Sequence, residues 1–350
     1  MRYPGWLLTL FCAAHVGFAA ADGDVPTASG TSLPVTASPV AASAATAAPA
    51  DVQQNPLLVS GAQLVQSVAS GGDPLGTVTS QATRMGVNAA QNALRDLLPT
   101  FEMDMSFAQN NKPVWGILGV VPLHESSDHS NAVFSQLSSY RTDGRTTVNV
   151  GFGDRQLFDD DRVLLGVNAF YDYEFPYANQ RTSVGAEIRT TVAELNVNAY
   201  QGQSGWKVNG DGMAEKAMGG EDVELGVALP YMPQVELYGK RFQWNAYDGL
   251  PDIKGNVLSL KGSVFPGITI EMGRTYYSTA QAFGQPDASF VTVQLDLIKL
   301  LEHPHASTSF FARQAYTLDS MRSHLYDKVR RENIIQKQVG RGFVITASGN

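Results

Sequence analysis

The sequence predicts an all-β protein, a 12-stranded antiparallel transmembrane β-barrel of an outer membrane. Three observations carry this. From residue 101 onward, hydrophobicity alternates with period two through twelve segments. The segments run about 10 residues, the reach of a tilted strand across a bilayer, against about 5–6 in soluble sheets. Aromatics gather near segment ends (Phe170, Tyr171, Tyr173, Phe175, Tyr177, Trp206, Tyr231, Trp244, Tyr247, Tyr276 and Tyr277), where the girdles of a membrane barrel lie.

Composition agrees. The chain has 350 residues, 43% hydrophobic and only 17% charged, with 33 glycines and a mean hydropathy of −0.12. A membrane helix needs about 20 consecutive apolar residues, and no segment beyond the N-terminus approaches that. A net charge of −8 argues against nucleic acid as a partner, since phosphate binding needs basic patches.

Residues 1–21 read as an export signal. Arg2 supplies the positive start, Trp6–Phe18 the apolar stretch, and Ala19 and Ala21 the cleavage site before Asp22. The single cysteine, Cys12, falls inside that stretch, so the exported chain is expected to carry no disulfide. Residues 22–76, rich in Ala, Ser, Thr and Pro at their start, read as a disordered periplasmic leader. Across 77–100 the spacing of Ala82, Met85, Val87, Ala90, Leu94 and Leu97 predicts a short periplasmic helix.

The twelve strands are placed at 101–108, 114–122, 131–140, 145–154, 162–173, 181–190, 192–201, 221–229, 234–244, 254–263, 267–277 and 288–298. Alternation assigns Leu195, Val197 and Ala199 to one face. Glu187, Glu194, Asn196, Asn198, Glu224, Glu236, Glu271 and Asp296 fall on the other, which is expected to face a wet lumen. Connections after even-numbered strands are mostly tight, and those after odd-numbered strands include the longest, 202–220, 245–253 and 278–287. That is the asymmetry of inner turns and external loops. The segment 123–130 is an inner turn longer than this pattern explains. In the longest loop, Trp206, Lys207, Asp211 and Lys216 are the candidate external contact residues.

Enzymatic chemistry finds no support. The histidines (His15, His124, His129, His303, His305 and His324) fall in the signal, an inner turn and the segment after the barrel. None sits beside a nucleophile at an external strand end. The HESSDH run at 124–129 and HPH at 303–305 match no metal spacing. The expected catalytic, metal and cofactor residues are none.

The stretch LGVNAFYDYEFPY at 165–177, then QRTSVGAEIRT at 180–190, NVNAY at 196–200 and SGWK at 204–207, resembles the barrel domain of intimin and invasin, the inverse autotransporters of Gram-negative bacteria. RQAYTLDSMRSHLYDKVRRENII at 313–335 is similar to that family's segment after the barrel. The resemblance covers about residues 80–335 and implies an outer-membrane anchor and translocation barrel. The N-terminus would lie in the periplasm and the C-terminal tail at the cell surface. After the last strand the chain would return outward through the lumen, with a plug helix within 299–335. Leu318, Met321, Leu325 and Val329 have helical spacing there, and Arg322, Lys328, Arg330 and Arg331 are placed to meet the lumen carboxylates.

The implied partners are outer-membrane lipid, the barrel-assembly machinery, periplasmic chaperones and a host-cell or bacterial surface receptor. Family adhesins carry passenger domains beyond the plug. Residues 336–350 are too few for an immunoglobulin-like domain of about 100 residues. An anchor with almost no passenger is therefore expected, with a loop-mediated adhesin or a plugged channel as alternatives.

Overall fold

The computed structural model describes residues 98–109, 111–278, 286–302, 311–340 and 342–345. The signal, the leader and residues 77–97 of the helix placed at 77–100 lie outside the described residues. No helix among those described is long and apolar enough to cross a membrane.

The wall of the barrel begins with β1 (Thr100–Ala108), β2 (Val114–Glu125), β3 (Asn131–Thr142), β4 (Arg145–Phe158), β5 (Val163–Phe175), β6 (Asn179–Arg189) and β7 (Ala193–Gly202). A small hairpin, β8 (Lys207–Val208) and β9 (Ala214–Ala217), interrupts it. The wall resumes with β10 (Gly219–Leu229), β11 (Met232–Asn245), β12 (Ile253–Phe265), β13 (Ile268–Tyr277) and β14 (Ala288–Asp296). These twelve wall strands pair antiparallel in sequence order, and β1 pairs with β14 to close the barrel. Closure leaves no strand edge, so a sheet in hydrocarbon satisfies all its backbone groups.

Period-two alternation translates directly into two surfaces. Along β7, Glu194, Asn196, Asn198 and Tyr200 are buried inward while Leu195, Val197, Ala199 and Gln201 face out. The outer wall is a band of Val, Leu, Ile, Met and Phe, with Val167, Val184 and Met272 each more than half exposed. Outward aromatics mark its two ends. Phe107, Trp115, Tyr171, Phe175 and Tyr276 stand toward one rim, and Phe158, Tyr231 and Phe265 toward the other.

One rim carries the connections 126–130, 159–162, 190–192, 230–231 and 266–267, together with the first residues of β1 and the last of β14. The opposite rim carries the long loops, and also one two-residue turn, Asp143–Gly144. Both residues there have positive φ, 48° and 73°, as a type I′ hairpin requires.

The last wall strand ends at Asp296, two residues before the position read from the sequence. The Asp296 carboxylate accepts from the backbone N–H groups of Ile298 (3.1 Å) and Lys299 (3.2 Å). This starts a short helix, Leu297–Glu302, because a capping carboxylate satisfies orphan N–H groups. Ile298 then packs on Leu98 and Phe101, where the described chain enters the wall.

Glycines shape the inner wall. Gly116, Gly151, Gly153, Gly226 and Gly255 lie directly opposite Tyr140, Phe170, Phe134, Tyr238 and Phe242 on the neighbouring strand. A Cβ on Gly151 would lie 2.2 Å from the Phe170 ring. The missing side chains let these rings lie flat against the wall and keep the bore open.

Candidate functional site: the threaded lumen

After the barrel closes, the chain returns to it. The backbone around 312–321 runs along the short-turn rim and is tied to successive turns. Ala312 and Ala315 exchange backbone hydrogen bonds with Tyr231 (2.8 and 3.0 Å), and Met321 N–H donates to the Asp161 carbonyl (2.7 Å). The Thr191 hydroxyl donates to the Thr317 carbonyl (2.8 Å). Arg322 pairs with the Asp161 carboxylate and donates to the Asp128 carbonyl (2.7 Å).

The Asp128 contact explains the longer inner turn. Hydroxyls of Ser126 and Ser130 donate to the Asp128 carboxylate, holding its pKa down at about 2. The turn is thereby fixed, with its carbonyl facing the incoming chain.

Met321 and Leu325 pack on Ala132, Leu157 and Leu164 at the mouth of the barrel. From there the chain forms neither helix nor strand until Lys337. The only helical turn among the described residues of 311–345 is a 3-10 turn at Arg322–His324, in place of the plug helix expected from Leu318, Met321, Leu325 and Val329. The reason is that the wall supplies the hydrogen bonds a helix would otherwise make to itself. Arg155 donates to the carbonyls of Leu325 (2.9 Å) and Asp327 (2.6 Å), and Arg181 to those of Glu332 (2.6 Å) and Ile334 (3.2 Å). Asn198 and Asn149 donate to the carbonyls of Arg330 (3.1 Å) and Asn333 (3.0 Å). Val329 N–H donates to Gln136 (2.8 Å), and Glu332 N–H to the Tyr200 hydroxyl (2.7 Å). Buried backbone groups must find partners, and here a chain without regular structure finds them laterally on the wall.

Charge is matched as well. The stretch 327–337 brings four cations, Lys328, Arg330, Arg331 and Lys337, against two carboxylates, Asp327 and Glu332. Arg330 reaches Glu224 (2.6 Å), Glu194 (3.5 Å) and Glu271 (3.8 Å). Lys328 reaches Glu102 (2.9 Å) and Asp104 (3.8 Å). Arg331 grips Asp172 with two bonds (3.0 and 2.7 Å), and Arg181 holds the same carboxylate at 2.8 Å. The rings freed by the glycines complete the sites: Arg330 lies 3.9 Å from the centroid of Tyr238, and Arg331 4.2 Å from that of Phe170. Substituting Gly151 by valine should push Phe170 off the wall into the path of Arg331. The cost expected of overpacking is about 1–3 kcal/mol, read as a lower melting temperature of the folded barrel. An unchanged melting temperature would show that the ring has room elsewhere.

The expected lumen residues thus meet different partners. Glu194, Glu224 and Glu271 gather around Arg330. Asn198 binds the threaded backbone, and Asn196 is buried beside it on the wall. Glu187 instead pairs with Arg155 (2.7 Å) within the wall, Glu236 sits near Lys261 (3.7 Å), and Asp296 lies 3.3 Å from Lys299. Arg322 stays at the rim. Sequence reasoning missed Asp172, Arg155 and Arg181, although Arg181 shares the parity of Ser183 and Glu187. Extending the alternation by one position would have found it.

At the long-loop rim the thread leaves as a strand. β15 (Lys337–Val339) pairs antiparallel with β9 on one side and with β16 (Gly342–Val344) on the other. Together with β8 they form a four-stranded sheet separate from the wall, at the mouth of the barrel, and beyond β16 Ile345 packs back on the inward side chains of Val257 and Phe290. Lys337 pairs with Glu174, and Arg145 bridges Glu174 and Glu215 (both 2.7 Å). The candidate loop contacts are therefore partly structural. Lys207 on β8 and Lys216 on β9 sit in the two strands of one hairpin, Trp206 packs edge-on against Tyr247 (6.1 Å), and Asp211 occupies the exposed hairpin turn.

The family model of the inverse autotransporter β-domain matches residues 66–333. The chain belongs to the inverse autotransporter β-domain family. It is 34% identical over 122 residues to an attaching and effacing protein homolog of Escherichia coli K12, covering 34% of this chain and 40% of that protein. It is 30% identical over 132 residues to the invasin of Yersinia enterocolitica, covering 37% of this chain and 15% of invasin. The chain thus spans well under half the length of these relatives. A solved structure from a study of in-meso crystallization of membrane proteins superposes with a TM-score of 0.55 at 20% identity. It covers 69% of this chain and 99% of its own, a likeness that speaks to the fold. This inverse autotransporter β-domain is an outer-membrane barrel, and its family is of the adhesin type.

Proposed function

We propose that the barrel is the membrane anchor and translocation pore of an intimin- and invasin-like adhesin, with the short-turn rim in the periplasm and the long-loop rim outside. The observation that carries this reading is the path of residues 311–340. It runs along one rim, through the bore and into a strand pair at the mouth of the other rim, the route of a chain moved outward. A lumen filled by this thread disfavours a constitutively open channel. Assembly would engage the barrel-assembly machinery and periplasmic chaperones, and adhesion a receptor on a host cell or another bacterium.

Cysteine labelling tests the orientation. With Cys12 lost in the signal, Met213→Cys and Val344→Cys should react with a membrane-impermeant thiol reagent on intact cells. Asp160→Cys should react only after permeabilisation. The opposite pattern would refute the reading.

A further inference from the structure

The outer wall is apolar across its middle, yet three cations stand together on β11–β13 near the long-loop rim. Arg241 on β11, Lys254 on β12 and Arg274 on β13 all point outward and are exposed. Register brings them together. Arg241 lies opposite Asn256, which lies opposite Tyr276. Lys254 is two residues from Asn256 on the same face, and Arg274 is two residues from Tyr276. With strands about 4.8 Å apart, Arg241 and Tyr276 are separated by about 10 Å, a span that one phosphorylated headgroup can bridge. Arg274 lies 5.5 Å from the Tyr276 ring centroid. Acids stand at the margin: Asp287 is 3.8 Å from Arg274, and Glu221 faces out on β10. Below the patch the wall holds Leu237, Leu258, Leu260 and Met272.

Such charges are costly at the bilayer midplane and nearly neutral in energy close to the interface. Their level, at the Tyr276 girdle, is that of lipid headgroups. Arginine forks suit phosphate oxygens bidentately, and ionised hydrogen bonds are the strong ones. We infer that Arg241, Lys254 and Arg274, with Asn256 and Tyr276, form a binding site on the outer wall for the phosphate groups of an outer-leaflet glycolipid. The site would fix the barrel's depth and the lipid beside β11–β13. Its assignment to the outer leaflet rests on the orientation proposed above.

The test uses the full-length protein, folded in non-ionic detergent, and a bis-phosphorylated glycolipid of the lipid A class. Native mass spectrometry reads the bound fraction. Wild type should retain the glycolipid, and R241Q/R274Q should bind it about tenfold more weakly, the loss expected for removing charged hydrogen bonds. R141Q, which removes an outward cation beside Trp115 elsewhere on this rim, should bind like wild type. Equal binding by the double variant, or equal uptake of the same glycolipid after phosphatase treatment, overturns the proposal. If the double variant fails to fold, K254Q is measured instead: weaker binding supports the site and unchanged binding refutes it. Detergent makes the assay independent of orientation, so labelling at 213 and 160 can fail without deciding this result.

Discussion

Replacing Asp172 by alanine should release the threaded segment more than any other single change in the lumen. Its carboxylate is fully buried and binds Arg331, Arg181 and Asn149 (2.7 Å) together. Removing it leaves two guanidiniums in the bore without their charge partner, and breaking a buried pair in this way costs about 3–5 kcal/mol. Arg181 would also lose the anchor that aims it at the carbonyls of Glu332 and Ile334. The expected result is a lower melting temperature and fast protease cleavage around 325–336, both absent in wild type. A double variant lacking Asp172 and Arg331 should be less damaged than the single one, because one stranded charge goes with the acid. If Asp172→Ala leaves melting and protection unchanged, the triad is not what holds the thread.

Ending the chain at residue 320 should open the bore. The wall is closed by β1 pairing with β14, which the truncation leaves intact. Without the thread, Glu102 and Asp104 lose Lys328, and Glu194, Glu224 and Glu271 lose Arg330. Near the short-turn rim, the polar cavity lined by Glu102, Glu194, Asp296 and Lys261, about 130 Å³ in the threaded protein, should merge with the bore. Rings of carboxylates favour cations in a pore. In a planar bilayer the truncated protein should give a steady, cation-selective current, and the intact protein only brief or small openings. Closed truncated barrels, or anion selectivity, would mean that the wall refills the bore or that its remaining cations dominate.

The contrast between wall and thread shows what was legible. Each strand carries its own signal, since alternate residues of a strand face opposite surfaces. Residues 193–202 therefore announce their two faces without knowledge of their neighbours, and Glu194 and Asn198 could be assigned to the lumen by parity. The thread carries no such signal. The spacing of Leu318, Met321, Leu325 and Val329 suits a helix, but Leu325 and Val329 are buried against different wall clusters along an irregular path. Asp172 looked like any polar residue in an aromatic-rich strand, because its importance comes from Arg331, 159 positions away. The loop 202–220 read as a free external segment, yet half of its hairpin is a sheet neighbour of β15.

The sequence alone determined the barrel, its twelve strands, its two surfaces and the family, because period, strand length and girdle aromatics are local properties. Only the tertiary structure decided that the returning chain is not a long helix, which carboxylate each of its cations meets, and that it leaves as a strand joined to the β8–β9 hairpin. The physical reason is that a backbone takes the hydrogen bonds nearest to it. Inside a ring of Arg155, Arg181, Asn149 and Asn198 those lie on the wall, and the wall exists only once the barrel has closed.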